Sequence, residues 1–248
     1  MEHSYRHCEA LVRKEDRDRY IATLFAPADK RPHLHALYAF DLEILRIGKM
    51  VREALAGELR LQWWRDALAG RVPEQVAAHP AAAALTDTIV RCALPIETID
   101  RLIDARALDL YDDPLSTLGE LEGYARETAS TVFDLAARIL DREAHVAEVA
   151  DPAGVAAVLI AALQDPAHRA LSSIAPADIV ARGRAALEAA RRNWPVVSPA
   201  ARPAFLSLAV KRALLDRAER NPDLLQPKGL APWRRQWLIW RAARRGAF

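Results

Sequence analysis

The sequence is poor in the residues that favour β-sheets and covalent cross-links. Its 248 residues include two cysteines, Cys8 and Cys92, which lie far apart. This excludes a disulfide framework, and the two lack the close spacing of a zinc motif. There are nine glycines and no long β-branched runs. These shortages favour a helical protein.

The sequence also lacks a long apolar run. No stretch of 18 apolar residues is present, so we expect no transmembrane segment and only peripheral membrane association. The first twenty residues are charged throughout and contain no apolar segment typical of a secretion signal. The net charge of +2 is too balanced to indicate nucleic-acid binding. We therefore expect a cytoplasmic protein with no nucleic-acid partner.

Helical periodicity is the strongest positive signal. Between residues 34 and 68, apolar side chains recur every three or four positions, at Leu37, Phe40, Ile44, Ile47 and Val51. This is one face of an amphipathic helix. A second helix is predicted from about Gly57, and its adjacent Trp63 and Trp64 require burial on more than one side. With apolar residues at 52%, we assign residues 1–248 to a single all-α domain.

Prolines and capping residues divide the rest of the chain. Thr117 and Glu120 have the spacing of a capping box at the start of a long helix, and Pro152 is predicted to open another. We predict connectors over 70–80, 109–117 and 221–232. The further predicted helices are 5–25, 81–94, 95–108, 118–140, 152–165, 172–194, 205–220 and 233–245.

Four segments resemble the squalene/phytoene synthase family. They read RDRYIATLFAP, ALYAF, GELRLQWWRDAL and ELEGYARETAST. The resemblance is sharp over residues 18–68 and 104–131 and weak after Ala153. It implies an isoprenoid-synthase-type bundle of about ten helices around a central cavity. In that alignment Tyr124 takes the place of a pocket tyrosine, and Ala129, Ser130 and Thr131 take the places of small residues that let helices approach.

The first acidic motif of that family is absent here. In the family, aspartates at i and i+4 on one helix face let Mg²⁺ bridge to a diphosphate. The resemblance places those aspartates at Leu45, Arg46 and Lys49, none of which is acidic. Asp41 and Glu43 lie nearby, but their spacing does not rebuild the motif.

The second acidic motif is also degraded. The resemblance places Val158, Ala161 and Gln164 where the family has glutamine, asparagine and arginine. Asp165 survives, and Arg169 stands in place of the second aspartate. One carboxylate cannot hold the metal cluster, so we predict no metal site and no cofactor. Mg²⁺ would be needed only if the protein were an enzyme.

Three functional hypotheses follow. The resemblance is closest to a degenerate branch that includes mitochondrial complex I assembly factor 6 and bacterial relatives, which implies a non-catalytic assembly or chaperone role with a membrane-associated complex near the inner membrane. The alternative is an active or altered prenyl transferase. A third is a carrier of isoprenoid or anionic lipid, with Arg46 and Lys49 at the head group.

Several residues are candidates for a cavity or ligand site. Surface cations paired with Glu43 and Glu53 at helical spacing are the favoured interpretation of Arg46 and Lys49. Tyr124 is consistent with a core tyrosine. The full set is Tyr38, Asp41, Leu45, Arg46, Lys49, Tyr124, Val158, Ala161 and Asp165.

The helix predicted over 233–245 has a distinctive composition. Trp233, Trp237 and Trp240 recur at i, i+4 and i+7 and so share one face. Tryptophan beside arginine is typical of helices at a membrane surface, but the same face could dock on the protein core. The arginines that accompany the tryptophans as membrane or partner candidates are Arg234, Arg235, Arg241, Arg244 and Arg245.

Overall fold

The computed structural model describes residues 1–50, 53–111, 115–164, 174–220 and 229–248. Within these ranges the regular structure is helical, as the sequence predicts. The helices are α1 (Glu2–Glu15), α2 (Arg17–Thr23), α3 (Arg31–Met50), α4 (Ala54–Leu68), α5 (Pro73–Ala78), α6 (Pro80–Cys92), α7 (Ile96–Arg106), α8 (Leu118–Ala125), α9 (Thr131–Leu140), α10 (Ala147–Gln164), α11 (Pro176–Arg192), α12 (Leu208–Arg220) and α13 (Pro232–Arg245).

Two long helices, α3 and α10, form the centre of the bundle. The predicted apolar face of α3 is buried, with Leu37, Phe40 and Ile44 at most 1% exposed. Helix α10 packs on α8, α9, α11 and α12. It is long and apolar enough to cross a membrane by length and composition, but 56% of that stretch is buried inside the bundle. Its apolar character therefore fits a core helix.

The predicted helix over 5–25 is wrong in one respect, because the structure has two helices there. Helix α1 ends at Glu15, and Asp16 is the N-cap of α2. The Asp16 carboxylate accepts a hydrogen bond from the backbone N–H of Arg19 at 3.0 Å. This satisfies a donor that the start of a helix leaves open, so the chain can turn between α1 and α2.

The prediction that Pro152 opens a helix is also wrong. Helix α10 begins at Ala147 and contains Pro152. Proline has no N–H, so the carbonyl of Glu148 one turn earlier loses its helical partner. The side chain of Asn193 donates a hydrogen bond to that carbonyl at 3.0 Å. A long-range contact thus compensates for the proline.

The segment 70–80, predicted as a connector, contains the short helix α5. The indole N–H of Trp63 donates to the Gln75 side chain of α5 at 2.5 Å. Trp64 is 3% exposed and packs edge-on against Phe40 with ring centroids 5.0 Å apart. Trp63 is partly buried, and both rings also pack against His79, with centroids 5.0 and 5.4 Å away.

One continuous helical segment runs from α8 to α9 through a π-helical turn at residues 126–130. It begins with the predicted capping box of Thr117 and Glu120. Gly154 of α10 lies against this turn, and a Cβ there would collide with the backbone N of Ser130. The absence of a side chain at Gly154 therefore lets α10 approach the π-helical turn.

Candidate binding cavity

A cavity of about 680 Å³ lies between α2, α3, the α7–α8 region, α10 and α12. Its rim includes Leu108 and Tyr111, which are 53% and 48% exposed. The structure places seven of the nine candidate cavity residues along its wall. These are Tyr38, Asp41, Leu45, Lys49, Tyr124, Val158 and Ala161.

The wall of the cavity is polar on one side, where Asp41 lies between two arginines. Arg19 donates to one carboxylate oxygen of Asp41 at 2.7 Å, and Arg106 donates to the other at 2.9 Å. The side chains of Asp41 and Arg106 are 6% and 8% exposed. The Arg19 guanidinium also lies over the Tyr38 ring, 4.9 Å from its centroid. Both oxygens of the carboxylate are therefore engaged by guanidinium groups.

The same network continues to Tyr124 and Asp109. Arg106 donates to the Tyr124 hydroxyl at 2.6 Å, and that hydroxyl donates to the Asp109 carboxylate at 2.7 Å. Arg106 and Asp109 also form an ion pair at 3.5 Å. Tyr124 thus lines the cavity while its hydroxyl is hydrogen-bonded within the wall.

Burial and charge act in opposite directions on these groups. Burial raises the pKa of Asp41, but Arg19 and Arg106 outweigh it and hold that pKa below its usual value. Burial raises the pKa of Tyr124 above that of a free tyrosine. Burial lowers the pKa of Lys211, while Asp16 and Asp18 act in the opposite direction. The cavity wall thus carries charged Asp41 and neutral Tyr124 at neutral pH.

The described carboxylates at the cavity are engaged by arginines. Mg²⁺ prefers several oxygen ligands with octahedral geometry, but Asp16 is paired with Arg19, and Asp18 with Arg235. Asp41 is held by two arginines, as described above. Among the residues that the structure describes, no group of three His, Cys, Asp or Glu side chains could hold a metal ion. The donor set of the described residues therefore does not fit the magnesium–diphosphate chemistry considered from the sequence.

One described candidate, Arg46, does not line the cavity. Arg46 forms ion pairs with Glu15 of α1 and, at 3.8 Å, with Glu43, and it is not part of the cavity wall. The proposed head-group role of Arg46 is therefore not supported by its position. The predicted pairing with Glu43 is present, and Glu15 is a second partner. Asp165 lies outside the described residues, as does Arg169.

Six charged cavity residues were not singled out from the sequence: Asp16, Asp18, Arg19, Arg106, Asp109 and Lys211. Arg106 and Asp109 lie three positions apart in a segment where the chain leaves α7. Arginine at a position that the helical pattern buries (Arg106 is 7% exposed) is rare unless it is paired. The three-residue spacing of Arg106 and Asp109 was therefore the sequence signal for a buried ion pair. It could not have identified the second partner, Asp41.

Helix α13 is bound to the bundle by the side opposite its tryptophans. Trp233, Trp237 and Trp240 are 70%, 46% and 50% exposed, whereas Ile239 and Ala242 are buried. The tryptophan face is therefore not docked on the core, which was one of the two alternatives. Among the accompanying arginines, Arg234, Arg244 and Arg245 are exposed and Arg241 is half-buried.

Arg235 was predicted as a membrane or partner candidate, but it faces the bundle. It forms a two-point ion pair with Asp18 of α2, with distances of 2.8 and 2.5 Å. It therefore fastens α13 to the bundle.

The helical fold and the cavity define an isoprenoid-synthase-type protein. Residues 12–171 match the family model for squalene/phytoene synthase, so the chain belongs to that family. Two solved structures are similar over nearly the whole chain. The squalene synthase HpnC from Alicyclobacillus acidocaldarius has a TM-score of 0.69 at 25% identity, covering 90% of this chain and 95% of its own. A dehydrosqualene synthase has a TM-score of 0.77 at 15% identity, covering 98% and 96%.

Sequence relatives point to another branch of the same family. The rat protein named NADH dehydrogenase (ubiquinone) complex I, assembly factor 6 is 30% identical over 238 residues, covering 92% of this chain and 72% of the rat protein. The bovine protein of the same name is 30% identical over 160 residues, covering 64% of this chain. That match spans about half, 48%, of the bovine protein. The predicted resemblance to both the family and this branch is confirmed.

Proposed function

We propose that this protein is a non-catalytic member of the squalene/phytoene synthase family that assists the assembly of a membrane-associated complex. The names of the rat and bovine relatives support an assembly role and suggest NADH dehydrogenase as the complex. The observation that carries the proposal is the pairing of Asp41 with Arg19 and Arg106. A carboxylate neutralised by two guanidinium groups is a poor ligand for the cation that prenyl transfer requires.

The positions one and two turns beyond Asp41 support the same proposal. Leu45 and Lys49 lie on the same face of α3 and line the cavity. An apolar side chain cannot bind Mg²⁺, and an ammonium group repels it. Prenyl transfer remains the alternative function, and it would need carboxylate ligands that the described part of the cavity does not provide.

The assembly role is tested in cells that lack the encoding gene. We expect less fully assembled NADH dehydrogenase on native gels of their membranes, and restoration by the wild-type chain. The amount of a second, unrelated membrane complex is the control for general membrane damage. Normal NADH dehydrogenase together with loss of a squalene-type product would contradict the proposal and favour the prenyl transferase.

The cavity itself favours a second candidate function, the binding of an isoprenoid or lipid without chemistry. A volume of about 680 Å³ lies within the range of small-molecule sites. Leu45, Val132, Phe133 and Val158 form an apolar wall, and Lys211 lies at the polar side. If the cavity binds a lipid, Lys49 and Lys211, rather than Arg46, are the candidate cations to contact its negatively charged head group. Native mass spectrometry of protein purified from cells would reveal a retained lipid, and a ligand-free spectrum from both cytosolic and membrane fractions would contradict this function.

A further inference from the structure

Helix α13 carries an exposed surface that none of the assignments above explains. We call it the Trp–Arg face and define it as Trp233, Trp237, Trp240, Arg241 and Arg244. All three tryptophans are exposed, Trp233 most of all at 70%. Arg241 lies over the ring of Trp237 at 5.0 Å, and Arg244 lies over that of Trp240 at 5.6 Å. Aromatic rings and guanidinium groups are thus presented together.

The helix cannot rotate to bury this face, because its other side is fixed. At about 100° per residue, Arg235, Ile239 and Ala242 lie roughly opposite the tryptophans. Ile239 and Ala242 are 0% and 4% exposed, and Arg235 forms an ion pair with Asp18. Turning the tryptophans inward would break the ion pair and expose the apolar contacts.

The C-terminal end of α13 is fixed as well. The indole N–H of Trp194 donates to the carbonyl of Gly246 at 2.8 Å. Phe248 is 6% exposed and packs edge-on against Trp194, with centroids 5.0 Å apart. The outward orientation of the Trp–Arg face is therefore held at both ends of the helix.

The positive charge of α13 favours a negatively charged partner. Helix α13 contains five arginines and no aspartate or glutamate. Its tryptophans follow one line along the axis from Trp233 to Trp240, which suits a plane better than a pocket. Amphipathic rings at head-group depth with guanidinium groups beside them are the pattern of a helix lying on an anionic bilayer. We propose that the Trp–Arg face binds the surface of an anionic lipid membrane. This inference is independent of the assembly role.

The proposal is tested by co-sedimentation of the intact chain with vesicles. We expect binding to phosphatidylcholine vesicles that contain phosphatidylglycerol at low salt, and much weaker binding to pure phosphatidylcholine or at high salt. The variant Arg241→Gln/Arg244→Gln should lose roughly 30-fold in partitioning to the anionic vesicles. The triple variant Trp233→Ala/Trp237→Ala/Trp240→Ala should lose binding at both salt concentrations.

Matched variants distinguish binding by the Trp–Arg face from non-specific binding by other exposed apolar or charged residues. Leu55 and Leu59 of α4 are 66% and 64% exposed, so Leu55→Ala/Leu59→Ala is the control for exposed apolar surface. Arg60→Gln/Arg101→Gln, at two exposed arginines, is the control for charge. Both should bind like the wild type, and all variants should keep its melting temperature. Absence of binding by the intact chain at low salt, or equal binding by the tryptophan variant, would overturn the proposal, as would binding only to an acidic protein.

Discussion

Arg106 and Asp41 meet at 2.9 Å in the cavity wall, where both side chains are almost completely buried. Asp41 comes from α3 and Arg106 from the end of α7, so the pair joins two elements 65 residues apart. Removing one partner of a buried pair leaves the other charge without compensation. This pair therefore lines the cavity and also stabilises the packing of α7 against α3.

The first prediction concerns that pair. Asp41→Asn removes the carboxylate shared by Arg19 and Arg106, which keep only Asp16 and Asp109 as anionic partners. We expect the free energy of unfolding to fall by up to about 3 kcal/mol. Urea denaturation measures the change. The control is Asp66→Asn, which breaks a more exposed pair with Arg71 and should have a much smaller effect. Equal effects of the two substitutions would show that the Asp41 network does not stabilise the fold.

The second prediction concerns the close approach of α10 to the π-helical turn. Gly154→Ala puts a methyl group against the backbone of Ser130, and we expect a loss of about 1–3 kcal/mol from overpacking. Gly123→Ala is the matched control, because Gly123 is also helical and a Cβ there meets no atom within 4 Å. That control should stabilise the protein by about 0.5–1 kcal/mol. Thermal melts of both variants would contradict the account if Gly154→Ala matched or exceeded the wild type.

The third prediction is a pH dependence caused by His35. This side chain is 4% exposed and stacks on Tyr20, with ring centroids 5.7 Å apart. Burial lowers its pKa to about 4, whereas an unfolded histidine has a pKa of about 6.5. Between these values the unfolded chain binds more protons. The free energy of unfolding therefore falls as the pH drops from about 6.5 to about 4, by about 3 kcal/mol in total.

Substitution separates this contribution from those of other groups. His35→Phe keeps an aromatic ring and removes the titration, so its stability should fall less steeply over that pH range. His7→Phe, at an exposed position, should keep the wild-type slope. Denaturation series at several pH values would count against the assignment if His35→Phe and the wild type had equal slopes.

The architecture could be predicted from the sequence because its signals are local. Apolar periodicity located α3, and Thr117 with Glu120 located the start of α8. The break at Asp16 and the start of α10 could not be located in the same way. Asp16 caps a helix that continues the apolar pattern, and Pro152 is tolerated because Asn193, 41 residues later, satisfies the freed carbonyl.

Part of the cavity wall could also be predicted, because helical spacing is a local signal. Tyr38, Asp41, Leu45 and Lys49 lie on one side of α3, so their common direction follows from helical spacing. The pairing of Asp41 with Arg106 depends on how α7 packs against α3, and no local pattern indicates it. For α13 the composition identified the tryptophan face, but only packing shows that this face points away from the core.

The fourth prediction distinguishes metal-dependent from metal-free binding. A ligand specific to the folded state raises the free energy of unfolding by about 2.7 kcal/mol at a hundredfold excess over Kd. We expect no Mg²⁺-dependent rise in melting temperature with a diphosphate analogue. A rise without metal that disappears in Lys49→Ala/Lys211→Ala would support the carrier function. A rise that requires Mg²⁺ would contradict the interpretation of the carboxylates.

The central claim is that the cavity does not perform head-to-head prenyl transfer. Its most direct test is incubation of the purified full chain with farnesyl or geranylgeranyl diphosphate and Mg²⁺, followed by extraction and product analysis. A known squalene synthase is the positive control, and heat-killed protein is the background. We expect no squalene or phytoene above that background, and a detectable amount of either product would show that the cavity does perform prenyl transfer.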